Sequence, residues 1–146
     1  LNNINSYNIF RMIPKVIYRS WLTQNLPKKV EKSVKKLLKD NPDYEHIIYT
    51  DSQIHDYVNA NFDENIRLAF NSLGHIVPKV DLWRYLILYR NGGIYVDIDS
   101  SVNLPLSQII NEGDDAITGR KARRGLVKGN ALEAARDTDV KRLFGI

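Results

Sequence analysis

Residues 77–100 read VPKVDLWRYLILYRNGGIYVDIDS, and no other stretch limits the fold as strongly. From about Lys79 to Arg90 a helical pattern runs apolar nearly all round and closes on Asn91-Gly92-Gly93. A helix of that kind must be largely buried, so the two charges in its interior, Asp81 and Arg84, need partners. The run that follows alternates as a strand does, with Ile94, Val96 and Ile98 on one face and Tyr95, Asp97 and Asp99 on the other. Two carboxylates therefore leave an apolar strand at its carboxyl end. In open α/β sheets that end is where ligands bind.

The preceding residues supply the rest of such a sheet. Lys15 to Ser20, within IPKVIYRSW, has the β-branched and aromatic content of an opening strand, and Pro14 limits pairing just before it. Pro27 fits the first turn of a helix in which Val30, Val34, Leu37 and Leu38 share one face, and that helix stops before Asn41-Pro42. Tyr44 to Thr50 is a second strand, and Asp51 is expected to cap a short helix reaching about Val58. Residues 63–73 place Ile66, Ala69, Phe70 and Leu73 on one helical face, ended by Gly74. Strands alternating with helices predict an α/β domain with a mostly parallel sheet.

Composition narrows the chemistry. With no cysteine among 146 residues, thiolate metal sites, disulfides and cysteine nucleophiles are excluded, so any metal must be held by oxygen or histidine. His46, His55 and His75 show no ligand spacing. The apolar runs fall far short of the ~20 residues that span a bilayer, and LNNINSYN at the start lacks the features of a signal peptide, which leads us to expect a soluble, cytoplasmic chain. The net charge of +4 is uneven: residues 1–118 carry 13 Lys and Arg against 14 Asp and Glu, and residues 119–146 carry 8 against 3. That basic end is able to touch an anionic membrane surface peripherally. Its cluster Arg120, Lys121, Arg123 and Arg124 has no interleaved aromatics for stacking on bases, and the lysine-rich face of residues 28–39 reads as solvated surface, so no specific nucleic-acid partner is expected.

Asp97 and Asp99 side by side at a sheet mouth would repel each other and raise one pKa unless a positive group sits between them and a ligand. A divalent cation, Mg²⁺ or Mn²⁺, meets that need, since such ions take oxygen ligands and complete their shell with water and substrate phosphates. Asp81 and Arg84, three residues apart, share a face of the preceding helix. An arginine beside a metal suits a diphosphate, and a carboxylate suits sugar hydroxyls.

Taken together, IPKVIYRSW (13–21), NPDYEHIIYTD (41–51) and PKVDLWRYLILYRNGGIYVDIDSSVNLPL (78–106) resemble the DXD-containing, sugar-transferring glycosyltransferases. These include α-mannosyltransferase-like and capsular-polysaccharide enzymes, with the clostridial glucosylating toxins as distant relatives. The resemblance implies a GT-A fold, a nucleotide-diphosphate sugar donor carrying UDP or GDP, a saccharide or other hydroxyl acceptor, and a metal-dependent, retaining hexosyl transfer. It implies that Asp99 ligates the metal, that Asp97 contacts the ribose and metal-bound water, and that Tyr95 lines the donor pocket. Asp81 and Arg84 would hold the donor sugar and diphosphate, with Asp97, Asp99 and Arg84 carrying catalysis, and Trp21 would stack on the base. Where the family often has histidine and then glutamine or phenylalanine, this chain has Tyr18 and Arg19. The likeness ends near Thr118. A GT-A core is therefore expected over residues 1–118, unfinished on its C-terminal side, with 119–146 a basic and partly disordered segment.

Two other readings fit parts of the sequence. IYVDIDSSV also looks like the nucleophile strand of a haloacid-dehalogenase-type phosphatase, and the unmatched C-terminal side fits a donor-binding domain that is catalytically silent.

Overall fold

A computed structural model describes residues 12–114 and the backbone of the strand segments 116–118, 127–128 and 132–135. The chain opens with β1 (Val16–Trp21), α1 (Lys28–Asp40) and β2 (Glu45–Thr50), followed by three helices, α2 (Asp51–Asn61), α3 (Glu64–Ser72) and α4 (Ile76–Asn91). Then come β3 (Gly93–Val96), β4 (Ser101–Val102) and a single 3₁₀ turn at Leu106–Gln108, and the short strands β5 (Ala116–Thr118), β6 (Val127–Lys128) and β7 (Leu132–Ala135).

The main sheet has the order β2-β1-β3-β7-β5. Its first three strands are parallel, as expected, and β7 and β5 extend it antiparallel. The chain steps outward from β1 to β2 through α1, then returns past β1 to β3 through α2, α3 and α4. The order thus reverses between β1 and β3, and such a switch point opens a crevice at the carboxyl ends of the strands.

Strand alternation sorts the core into two layers. On one face Tyr18 and Tyr95 pack with Ile54 and Val58 of α2, Phe70 of α3, and Trp83, Leu86, Ile87 and Leu88 of α4. On the other, Ile17, Ile94 and Val96 meet Leu37 of α1, Val102 and Leu106. Asn41 ties the second layer together: its side-chain amide donates to the Leu37 carbonyl at 2.9 Å, and its oxygen accepts the Leu106 N–H at 2.7 Å. The L-P-L segment is thereby moored under the sheet. The six lysines of α1 all face solvent, and two of them pair within the helix, Lys35 with Glu31 and Lys36 with Asp40.

Five expectations need correction. The N-cap of α2 is Thr50, whose hydroxyl accepts the Gln53 N–H while the Gln53 side chain accepts the Thr50 N–H, a reciprocal box that spares Asp51 the role. α2 continues to Asn61, past Val58. α4 starts at Ile76, because Pro78 lies within its first turn, where no helical N–H bond is lost. It is also less buried than its composition suggests, with Val77 and Tyr85 exposed. Finally, β3 ends at Val96, and Asp97–Ser100 form a turn closed by the Ser100 N–H donating to the Asp97 carbonyl at 2.9 Å. The expected boundary at 118 and the disordered basic tail fall chiefly on residues outside those described. Among the described residues, no helix is long and apolar enough to cross a membrane.

Candidate functional site

A cleft of about 680 Å³ opens at the switch point between β1 and β3. Three pieces of chain form its walls. The end of β1 contributes Ser20 and Trp21, α4 contributes Val77, Val80, Asp81 and Arg84, and β3 with its turn contributes Tyr95, Asp97, Ile98 and Asp99. All six residues singled out in the sequence, Trp21, Asp81, Arg84, Tyr95, Asp97 and Asp99, therefore line one cavity. The α4 residues stand at i, i+3, i+4 and i+7, a single helical stripe of which only the charged half, Asp81 and Arg84, stands out in the sequence. Ser20, beside Trp21, was missed because a small hydroxyl at a strand end carries no signal of its own.

Arg84 sits at the centre. Its guanidinium pairs with Asp81 one turn earlier, lies 3.5 Å from Asp97 across the cleft, and covers the Tyr95 ring at 4.7 Å from the centroid. Asp81 is 55% exposed on the rim while Arg84 is 14% exposed, so the pair expected to be buried has one partner in solvent. Tyr95 is fixed from two sides, its hydroxyl 3.3 Å from Ser20 Oγ and its ring edge-on to Trp83 at 6.0 Å. Burial pushes its phenol up to about 12, so it stays protonated at neutral pH.

The two carboxylates differ. Asp97 is half-buried, and its pKa is raised, first by desolvation and further by its neighbours Asp99 and Asp81, while the Arg84 charge and the Tyr95 hydroxyl pull it down. Asp99 is exposed at the tip of the turn. Strand alternation would have held both on one sheet face. The turn instead carries Asp99 past the end of the sheet, and both still reach the same cavity.

The donor set suits a hard cation. The ligands it offers are oxygens, chiefly the carboxylates of Asp97 and Asp99, one side of the cavity is open, and the unfavourable burial and mutual repulsion at Asp97 are what a cation would relieve. Among the described residues no group of three histidine or acidic side chains gathers to cage a metal. The arrangement thus matches ions that take one or two carboxylates and draw the remaining ligands from phosphates and water. His55 packs edge-on against Phe70, His46 lies within β2 and His75 precedes α4, all outside the cavity lining.

Arg19 lies beneath the turn and is completely buried. Its Nη2 donates to the carbonyls of Ser100 at 2.9 Å and Asp97 at 3.3 Å. In the sequence Arg19 stands out only as a departure from the family at its position. A charge inside the apolar run IPKVIYRSW was the available signal.

The sequence of glycosyltransferase sugar-binding regions containing the DXD motif matches residues 27–115. Inositol phosphoceramide mannosyltransferase 3 of Schizosaccharomyces pombe is 30% identical over 99 residues, which cover 68% of this chain and 28% of that protein. The initiation-specific alpha-1,6-mannosyltransferase of Candida albicans is 30% identical over 129 residues, 84% of this chain and 33% of that one. The chain therefore spans about a quarter to a third of the length of these curated relatives. Among solved structures the PaToxG glycosyltransferase superposes with a TM-score of 0.60 at 17% identity, covering 87% of this chain and 57% of its own. The α/β fold is the GT-A fold that the sequence led us to expect.

Proposed function

This chain belongs to the glycosyltransferase family whose sugar-binding region contains a DXD motif, and we propose that its cleft binds a nucleotide-diphosphate sugar together with Mn²⁺ or Mg²⁺ and transfers the hexose, with retention, to a hydroxyl acceptor. The observation that carries this reading is the convergence of Trp21, Asp81, Arg84, Tyr95, Asp97 and Asp99 on one cavity at the switch point. The mannosyltransferase names of the relatives favour mannose as the sugar, and a saccharide or an inositol-bearing lipid as acceptor.

On this reading Trp21 offers its ring to the base, and Asp81, exposed on the rim, accepts hydrogen bonds from sugar hydroxyls. Arg84 turns its guanidinium toward the diphosphate, where negative charge grows as the glycosidic bond breaks. Held by Asp97 and Asp99, a divalent cation supplies Lewis-acid stabilisation of that same charge. The cleft walls of Val77, Val80 and Ile98 shed water from around these groups, which strengthens their electrostatic pull.

Titration calorimetry with UDP- and GDP-sugars, with and without Mn²⁺, tests the reading. The wild type is expected to bind a donor only with metal, and Asp97→Asn and Asp99→Asn each to weaken binding by at least roughly tenfold while keeping the wild-type circular dichroism. Equal binding with and without metal, or unaffected variants, defeats it. A second reading of the same cleft is a domain that binds the donor without transferring it. Acceptor-free hydrolysis of the bound donor separates the two.

A further inference from the structure

We propose that Arg19 is a positioning residue of this site: from within β1 it clamps the backbone of the Asp97–Ser100 turn that carries the two carboxylates. The inference rests on the reading of the cleft given above and adds to it a residue that does not line the cavity.

Arg19 is wholly buried, yet among the described residues it forms no ion pair, and its Nε and Nη1 have no hydrogen-bond partner. A buried, uncompensated guanidinium is among the more destabilising groups a core can hold. Burial lowers its pKa to about 10, against the opposing pull of Tyr95, Asp97 and Asp99, so it remains charged at neutral pH.

The two bonds it does form are not needed to satisfy the backbone. The Asp97 carbonyl already accepts the Ser100 N–H at 2.9 Å, and the Ser100 carbonyl accepts the Ser33 hydroxyl at 3.3 Å. Removing Arg19 would orphan neither oxygen. What it would remove is a single nitrogen, Nη2, that ties together the first and last residues of the turn that carries both acids. A residue that burdens the fold and braces the site in this way has the signature of a functional device, in which local stability yields to pre-organisation. Groups that orient the holders of a metal typically alter its affinity 10–100-fold without touching it.

Arg19→Met, close in length and uncharged, and Arg19→Lys, which keeps a donor and the charge, test the inference in three measurements. Thermal melting should put Arg19→Met at or above the wild type. Amide hydrogen exchange at Ser100, measured without ligand, should accelerate. Mn²⁺ affinity, measured by calorimetry with the donor nucleotide, should fall about 10–100-fold, and Arg19→Lys should recover most of both losses. A lower melting temperature for Arg19→Met with unchanged Ser100 exchange and Mn²⁺ affinity would mean a structural prop and would overturn the proposal. If the wild type binds neither Mn²⁺ nor a sugar nucleotide, the reading of the cleft fails. The Ser100 exchange rate still decides the clamp, faster in Arg19→Met supporting it and unchanged rejecting it.

Discussion

Arg84 shows how little a formal charge says about a side chain's work. Its planar guanidinium meets Asp81, faces Asp97 at 3.5 Å and covers the Tyr95 ring, three contacts that use its edge and its face together. An ammonium has no such fork or plane and is more strongly hydrated. Arg84→Lys keeps the charge and loses the geometry. Because surface-type pairs with a partner 55% exposed contribute little to stability, the melting temperature should shift by only a few degrees. Donor affinity should fall roughly tenfold, about 1.4 kcal/mol, as the bidentate grip on the diphosphate is lost. Calorimetry on wild type and variant decides it, and equal affinities would show that Arg84 acts through charge alone.

The junction of α4 and β3 decides where the cleft lies, and two glycines make it. Gly92 has φ of 65° and Gly93 of 98°, values that side-chain-bearing residues rarely adopt. Space is short as well: a Cβ on Gly93 would stand 2.9 Å from Tyr18 Cε2 and 3.0 Å from the Val16 carbonyl oxygen. The oxygen belongs to a central strand and cannot retreat. Gly93→Ala should therefore lose about 1–3 kcal/mol in urea unfolding. Gly74→Ala, with nothing within 4 Å, should stay within about 0.5 kcal/mol and serves as control. This junction was legible from Asn91-Gly92-Gly93, and so were β1, β2 and the period-2 split of Tyr95 from Ile94 and Val96, because each follows from local periodicity. The Thr50–Gln53 box was also written in the sequence, as a threonine and a glutamine three apart, and the neighbouring Asp51 hid it. The end of β3 was not readable. Alternation runs on through Asp99, whereas the turn at Asp97 is settled by Arg19 and Ser33, which lie 67 to 81 residues away in sequence.

At the scale of the fold, among the described residues the buried Arg19 guanidinium lies on the α1 side of the sheet without an ion pair, and this should appear in the response to acid. His46 pairs in register with Ile17 on the neighbouring strand. Its pKa is lowered to about 4, first by burial and then by the Arg19 charge, and its Nε2 is buried without a partner among the described residues. An unfolded histidine takes up its proton near pH 6.5. Between about pH 6.5 and 4 the unfolded chain therefore binds a proton that the folded chain refuses, and stability falls as pH drops through that window; below about 4 both states are protonated and this loss levels off. For a group still partly in contact with solvent the loss should be on the order of 1–2 kcal/mol. His46→Leu should abolish this slope when urea unfolding is followed at pH 7.5, 5.5 and 4, with the carboxylate contributions common to both proteins cancelling in the difference. Arg19→Met should shrink it without abolishing it, since desolvation remains when the neighbouring charge is gone. Parallel pH profiles for wild type and His46→Leu would place the acid sensitivity of the fold elsewhere and break the electrostatic link drawn between β2 and the buried guanidinium of β1.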